Sequence, residues 1–101
     1  MVNDSVNLRV AVSHPCFPGH FPGNPIVPGV VILDMVTENI LARYPGCRIS
    51  GFPKVKFLSP LSPDIEFLLT WEERPDGDID FYCDTENLRL VQGRIRLDKT
   101  R

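Results

Sequence analysis

Between Val30 and Val36 the chain sets six apolar residues around one charged residue, Asp34. The stretch reads as the first half of a helix from Gly29 to Tyr44. Pro28 reads as its first-turn proline, and Pro45-Gly46 stops it. The residues Val30, Val31, Ile32, Leu33, Met35 and Val36 leave the helix apolar nearly all round, and such a helix is buried rather than docked by one face. Its second half, with Glu38, Asn39 and Arg43, becomes amphipathic. A chain of 101 residues is at most one domain, spanning 1–101, so everything that covers this helix comes from a short remainder or from another subunit.

That remainder reads as strands. Val6 to Val12 alternates apolar and polar residues with period two. His14 to Gly29 contains five of the ten prolines and neither a helical nor a strand pattern, yet Cys16, Phe17, Phe21, Ile26 and Val27 give it apolar anchors. It reads as a rigid, packed loop. Strands are expected at Arg48–Phe57, Ile65–Glu73, Ile79–Asp84 and Leu88–Leu97, with turns at 59–64, 74–77 and 85–87. Asp76-Gly77 between two apolar runs is a hairpin signal. Short turns imply antiparallel neighbours. The pattern is α+β, an antiparallel sheet wrapped around one long buried helix, and the hot-dog arrangement is its simplest form.

Composition narrows the function classes. The formal net charge is −2, which argues against nucleic acid as a partner. No apolar run approaches the roughly 20 residues of a membrane helix, so no membrane insertion is expected. The polar start, Met1 to Asn7, lacks a signal-peptide pattern, and a cytoplasmic location is expected. Cys16, Cys47 and Cys83 are odd in number and widely spaced, which suits reduced thiols and gives no metal-ligand spacing. No metal is expected.

Two residues resist a purely structural account. Asp34 sits in an apolar run, where a buried carboxylate is costly unless it is paired or neutralised. Facing solvent is the bland alternative, although its neighbours leave little room for a solvent face. His20 lies in Pro18-Gly19-His20-Phe21-Pro22-Gly23, whose prolines and glycines fix the backbone around it. A rigidly mounted side chain that titrates near neutrality suits a general base. Gly29 adds an amide at a helix N-terminus, an electrophilic site for a carbonyl oxygen.

The run His20-Phe21-Pro22-Gly23-Asn24-Pro25-Ile26-Val27-Pro28-Gly29-Val30-Val31-Ile32-Leu33-Asp34 resembles the signature of the 3-hydroxyacyl-(acyl carrier protein) dehydratases of fatty-acid synthesis. In that family the histidine of a similar turn precedes a helix carboxylate by fourteen residues, the spacing from His20 to Asp34. The aspartate is similar to the branch that also isomerises the double bond, while the turn looks more like the general branch. Val55 to Asp64 is similar to the family's basic-aromatic strand and the turn after it, with Ser62-Pro63 altering that turn. Leu90 to Leu97 looks like the last strand, with Gly93 at a kink.

The resemblance implies a hot-dog fold and dehydration of a (3R)-3-hydroxyacyl thioester to the trans-2-enoyl thioester. It implies that His20 takes the α-proton, that the Gly29 amide binds the thioester carbonyl, and that Asp34 helps the hydroxyl leave as water. Phe21, Val30 and Phe57 would contact substrate, and Phe67 and Trp71 either line an acyl tunnel or belong to the ordinary core. No cofactor is implied, because phosphopantetheine arrives on the substrate's carrier. The partners implied are an acyl carrier protein, received by basic residues among Arg43, Arg48, Lys54 and Lys56, and a second copy in a homodimer or larger homo-oligomer. His20 and Asp34 would then meet across the interface.

There are departures. The chain starts where the family's second strand would begin, as in the short forms of aryl-polyene gene clusters. Glu38 replaces a frequent glutamine one helical turn from Asp34, where it either raises that residue's pKa or faces solvent. A hot-dog thioesterase and a non-catalytic acyl-binding subunit remain alternatives with the same fold.

Overall fold

The structure, a computed structural model, describes residues 3–14 and 25–99. Its elements run β1 (Asn3–Leu8), α1 (Gly29–Leu41), β2 (Cys47–Phe57), β3 (Phe67–Glu73), β4 (Ile79–Asp84) and β5 (Arg89–Lys99). The strands form one antiparallel sheet of order β1-β3-β4-β5-β2. β1 and β2 are therefore opposite edges, and α1, which joins them in sequence, has to cross the sheet's face. This is the expected α+β hot-dog arrangement.

Period-two alternation builds the core. Phe67, Leu69 and Trp71 of β3, Ile79, Phe81 and Cys83 of β4, and Val91 and Ile95 of β5 turn inward and are buried. Ile32, Val36 and Ile40 of α1 meet them, spaced four apart along one stripe of the helix. Phe67 and Trp71 thus belong to the core rather than to a tunnel.

The opposite sheet face is charged and largely self-paired. Arg74 and Arg94 both bond Asp80, at 3.0 and 2.9 Å. Arg96 bonds the buried Asp78 through Nε and Nη2, and Arg89 pairs with Asp84 while its guanidinium stacks 4.6 Å from the Tyr82 ring centroid. Burial raises the Asp80 pKa, but the two guanidiniums outweigh it and hold the carboxyl below its ordinary value.

Three expectations change. β1 begins and ends earlier than Val6–Val12. Its polar first residues pair with Glu72, Trp71 and Thr70 because β3 extends far enough to offer them partners. Beyond Leu8 the chain leaves the sheet and bonds the turn at 61–64 instead. There the Asp64 amide donates to the Val10 carbonyl at 2.8 Å, and the Val12 amide donates to Asp64 Oδ1 at 3.3 Å. Asp64 holds a φ of 61° to do this, a conformation that aspartate tolerates better than most residues. Second, α1 stops at Leu41, because the Arg43 and Tyr44 amides turn back to the Ile40 and Leu41 carbonyls in tighter bonds. Third, the helix is not covered all round. Val30, Asp34 and Glu38, four residues apart on the line opposite the core stripe, are all exposed in the single chain. The sheet reaches only one side of a helix lying on it, so apolar residues at Val30 do not guarantee burial of Asp34.

Candidate active site

Gly29 is the first residue of α1, and Pro28 is its N-cap. Proline offers no side-chain acceptor for the first-turn amides, and no side-chain cap is present. The first bonded amides are those of Val31 and Ile32, which donate to the Pro28 carbonyl at 3.0 and 3.4 Å. Among the described residues, the Gly29 and Val30 amides have no acceptor. As far as the described residues go, two N–H groups at the positive end of a helix are thus left for a carbonyl oxygen or an anion.

Phe57, the last residue of β2, lies against Gly29. A Cβ at Gly29 would sit 2.6 Å from Phe57 Cε1 and 2.8 Å from Cζ, so the far edge of the ring occupies the space that a side chain at Gly29 would take. The two residues share the wall of a groove of about 420 Å³ with Val27, Ile32, Leu58, Ser59, Pro60 and Leu61. That volume falls within the range of about 300–1,000 Å³ typical of small-ligand sites, and the lining is mostly apolar. The Val27 amide donates to the Leu61 carbonyl at 2.8 Å, which fixes the groove floor to the segment entering α1.

Of the residues singled out by sequence, Gly29 and Phe57 are brought together. Val30 lies outside the groove lining, 63% exposed, on the same open line as Asp34. Asp34 itself is exposed in the single chain, not buried as the apolar run suggested. His20 and Phe21 lie outside the described residues, as do Cys16 and most of the expected rigid loop. Sequence reasoning missed Val27, Ile32, Pro60 and Leu61 as groove residues. Pro60 and Leu61 stand inside the stretch Val55 to Asp64 that carried part of the resemblance, which was the available signal.

The other chemistry-bearing groups contribute little here. Among the described residues no three His, Cys, Asp or Glu side chains are grouped to hold a metal ion. Cys83 is buried, and burial, with a smaller effect from Asp84, pushes its thiol pKa up to about 12. It therefore stays protonated and unreactive at neutral pH. Native protein treated with iodoacetamide should carry the label on the half-buried Cys47 and not on Cys83, as read by peptide mass spectrometry. Equal labelling of the two would show that the core opens far more readily than this packing implies.

The ApeI-like family, described as ApeI dehydratase, matches residues 3–94. The 3-hydroxyacyl-[acyl-carrier-protein] dehydratase FabZ of Klebsiella pneumoniae is 32% identical over 104 residues, covering 91% of this chain and 66% of that protein. FabZ of Syntrophobacter fumaroxidans is 33% identical over 70 residues, covering 60% of this chain and 48% of its own length. The chain thus spans about half to two thirds of the length of these two relatives. Among solved structures, the dehydratase heterocomplex ApeI:P from Xenorhabdus doucetiae superposes with a TM-score of 0.85 at 29% identity, over 96% of this chain and 88% of that one. The fluoroacetyl-CoA-specific thioesterase FlK shares only the fold, with a TM-score of 0.70 at 14% identity. With the matched residues running from the start of β1 into β5, the chain belongs to the ApeI-like dehydratase family.

Proposed function

We propose that the chain dehydrates (3R)-3-hydroxyacyl thioesters, carried by an acyl carrier protein in the cytoplasm, to trans-2-enoyl thioesters. The observation that carries this reading is the Gly29 amide, open at a helix N-terminus beside Phe57 in the wall of an apolar groove. A thioester carbonyl bonded there has its developing negative charge stabilised as the α-carbon loses a proton. His20 accepts that proton from C2. Asp34 protonates the departing C3 hydroxyl, which leaves as water while the C2–C3 double bond forms. The proton taken up by His20 then returns to Asp34 through solvent, so both side chains end as they began and the reaction as proposed uses no cofactor beyond the carrier's phosphopantetheine.

Asp34 on an uncovered helix line suits a site completed by a second subunit. Among the described residues, β2 is an eleven-residue edge strand that bonds β5 alone. Phe52 and Phe57 on it are 40% and 53% exposed. A second copy joined along this edge would extend the sheet and remove the open edge. His20 of one copy would then face Asp34 of the other. A second reading, that the covering subunit is an unlike chain, draws on the heterocomplex formed by the ApeI of Xenorhabdus doucetiae. Exposed Lys54 and Lys56, close in sequence to Phe57, offer positive charge to an acidic carrier, whereas Arg43 is engaged by Asp4.

The test is direct. Purified protein incubated with a carrier-bound 3-hydroxyacyl substrate should convert it to a species lighter by one water. Release of free carrier thiol instead would establish a thioesterase. An unchanged substrate, with the protein sedimenting as a folded dimer, would leave a non-catalytic subunit.

A further inference from the structure

We infer that Leu61 sets the longest acyl chain the site accepts, an inference that rests on the dehydratase reading. The groove beside Gly29 does not end at open solvent on every side. Pro60 and Leu61 form part of its wall, and the same two residues line a second groove of about 360 Å³. That second groove has Ile65, Leu88 and Leu90 among its lining, with Glu66, Glu86 and Asn87 among its polar lining residues. Two cavities with one shared wall make a partition. Leu61 is its buried part, only 2% exposed, so its side chain fills the space an acyl tail would enter next.

The partition can be thinned without cutting its anchor. Leu61 holds Val27 through its main-chain carbonyl, and the neighbouring turn holds Val10 through the Asp64 amide. Neither bond involves the Leu61 side chain. Shortening that side chain therefore opens a path from the first groove to the second while the backbone around Gly29 stays tied. Beyond it, Ile65 and Leu88 are 46% and 55% exposed, apolar surface that an acyl tail would cover. Discrimination by an apolar pocket runs at about tenfold or more per methylene, so a moved wall is readable as a shifted cut-off.

The experiment measures kcat/KM across a homologous series of carrier-bound 3-hydroxyacyl substrates for the wild type, Leu61→Ala and Leu61→Val. The wild type should show a cut-off length. The variants should raise kcat/KM on the homologues just beyond it by at least about tenfold relative to the short ones, whatever their effect on the short ones themselves. Leu61→Val removes a single methylene and carries the test if the alanine variant does not fold, as judged by circular dichroism. Adding Leu88→Trp to Leu61→Val refills the second groove and should bring the cut-off back. Variant profiles that superimpose on the wild type overturn the inference and leave dehydration standing. Wild-type protein that removes water from no homologue overturns both.

Discussion

Replacing His20 by alanine should lower dehydration by about 100-fold to 10,000-fold, the usual contribution of a positioned general base, with the thermal midpoint nearly unchanged. Asp34→Asn should lose activity on a similar scale, since the amide cannot give up a proton to the leaving hydroxyl. Its stability should also change little, because asparagine keeps the shape of the side chain and removes only its charge. Mixing the two inactive proteins then separates a shared site from a self-contained one. In a heterodimer one site receives both lesions and the other receives neither. Random exchange should therefore restore about a quarter of the wild-type rate. Exchange demonstrated by a mass-tagged subunit, with no recovery of activity, would place both residues in one copy or remove them from catalysis.

The largest effect on folding should come from Gly93→Ala. Gly93 lies in the middle of β5, opposite Phe81 on one side and Val55 on the other. An added Cβ would meet the Lys54 carbonyl oxygen at 2.5 Å and the Phe81 ring at 2.8 Å. Neither can yield cheaply, since the first is backbone of a paired strand and the second is a ring with no exposure at all. Overpacking of this kind costs about 1–3 kcal/mol or more, and in a domain of this size each kcal/mol shifts the midpoint by roughly 4–8 °C. A fall of roughly 4–24 °C is expected by differential scanning fluorimetry. Gly51→Ala, in the neighbouring strand with open space where its Cβ would go, is the control and should change little. Similar midpoints for both variants would mean that β2 and β5 slide freely enough to absorb the methyl group.

Gly93 also marks the limit of what sequence reveals. Its resemblance to a kink in a last strand was legible, but the reason for the glycine was not. That reason is a carbonyl 39 positions earlier and a ring on another strand, brought together only by pairing. The order of the six elements was readable because period-two runs, proline clusters and Asp-Gly turns are local. The polar opening of β1 was not, since Asn3, Asp4 and Ser5 become strand only by borrowing partners from β3. The burial of α1 was overstated for a related reason. The apolar residues Val31, Leu33 and Met35 do pack at the margins of the core beside the buried stripe of Ile32, Val36 and Ile40, but the line of Val30, Asp34 and Glu38 lies beyond the reach of the sheet. At the site, Gly29 and Phe57 could be named from motifs, yet that one lies over the other required the crossing of α1 from β1 to the far edge.

The turn at 61–64 holds both approaches to the segment bearing His20: Val10 and Val12 on one side through Asp64, and Val27 on the other through Leu61. Two fixed ends shorten the span that intervening chain has to close, and the cost of closing a flexible loop grows only logarithmically with its length, by about 0.6 kcal/mol per doubling. The clasp, rather than the length of what it closes, is thus where folding is vulnerable. Under the dehydratase reading, a change in the turn that carries Asp64 and the Leu61 carbonyl would loosen the arm that bears His20 at both ends at once, while the sheet itself stays as it is.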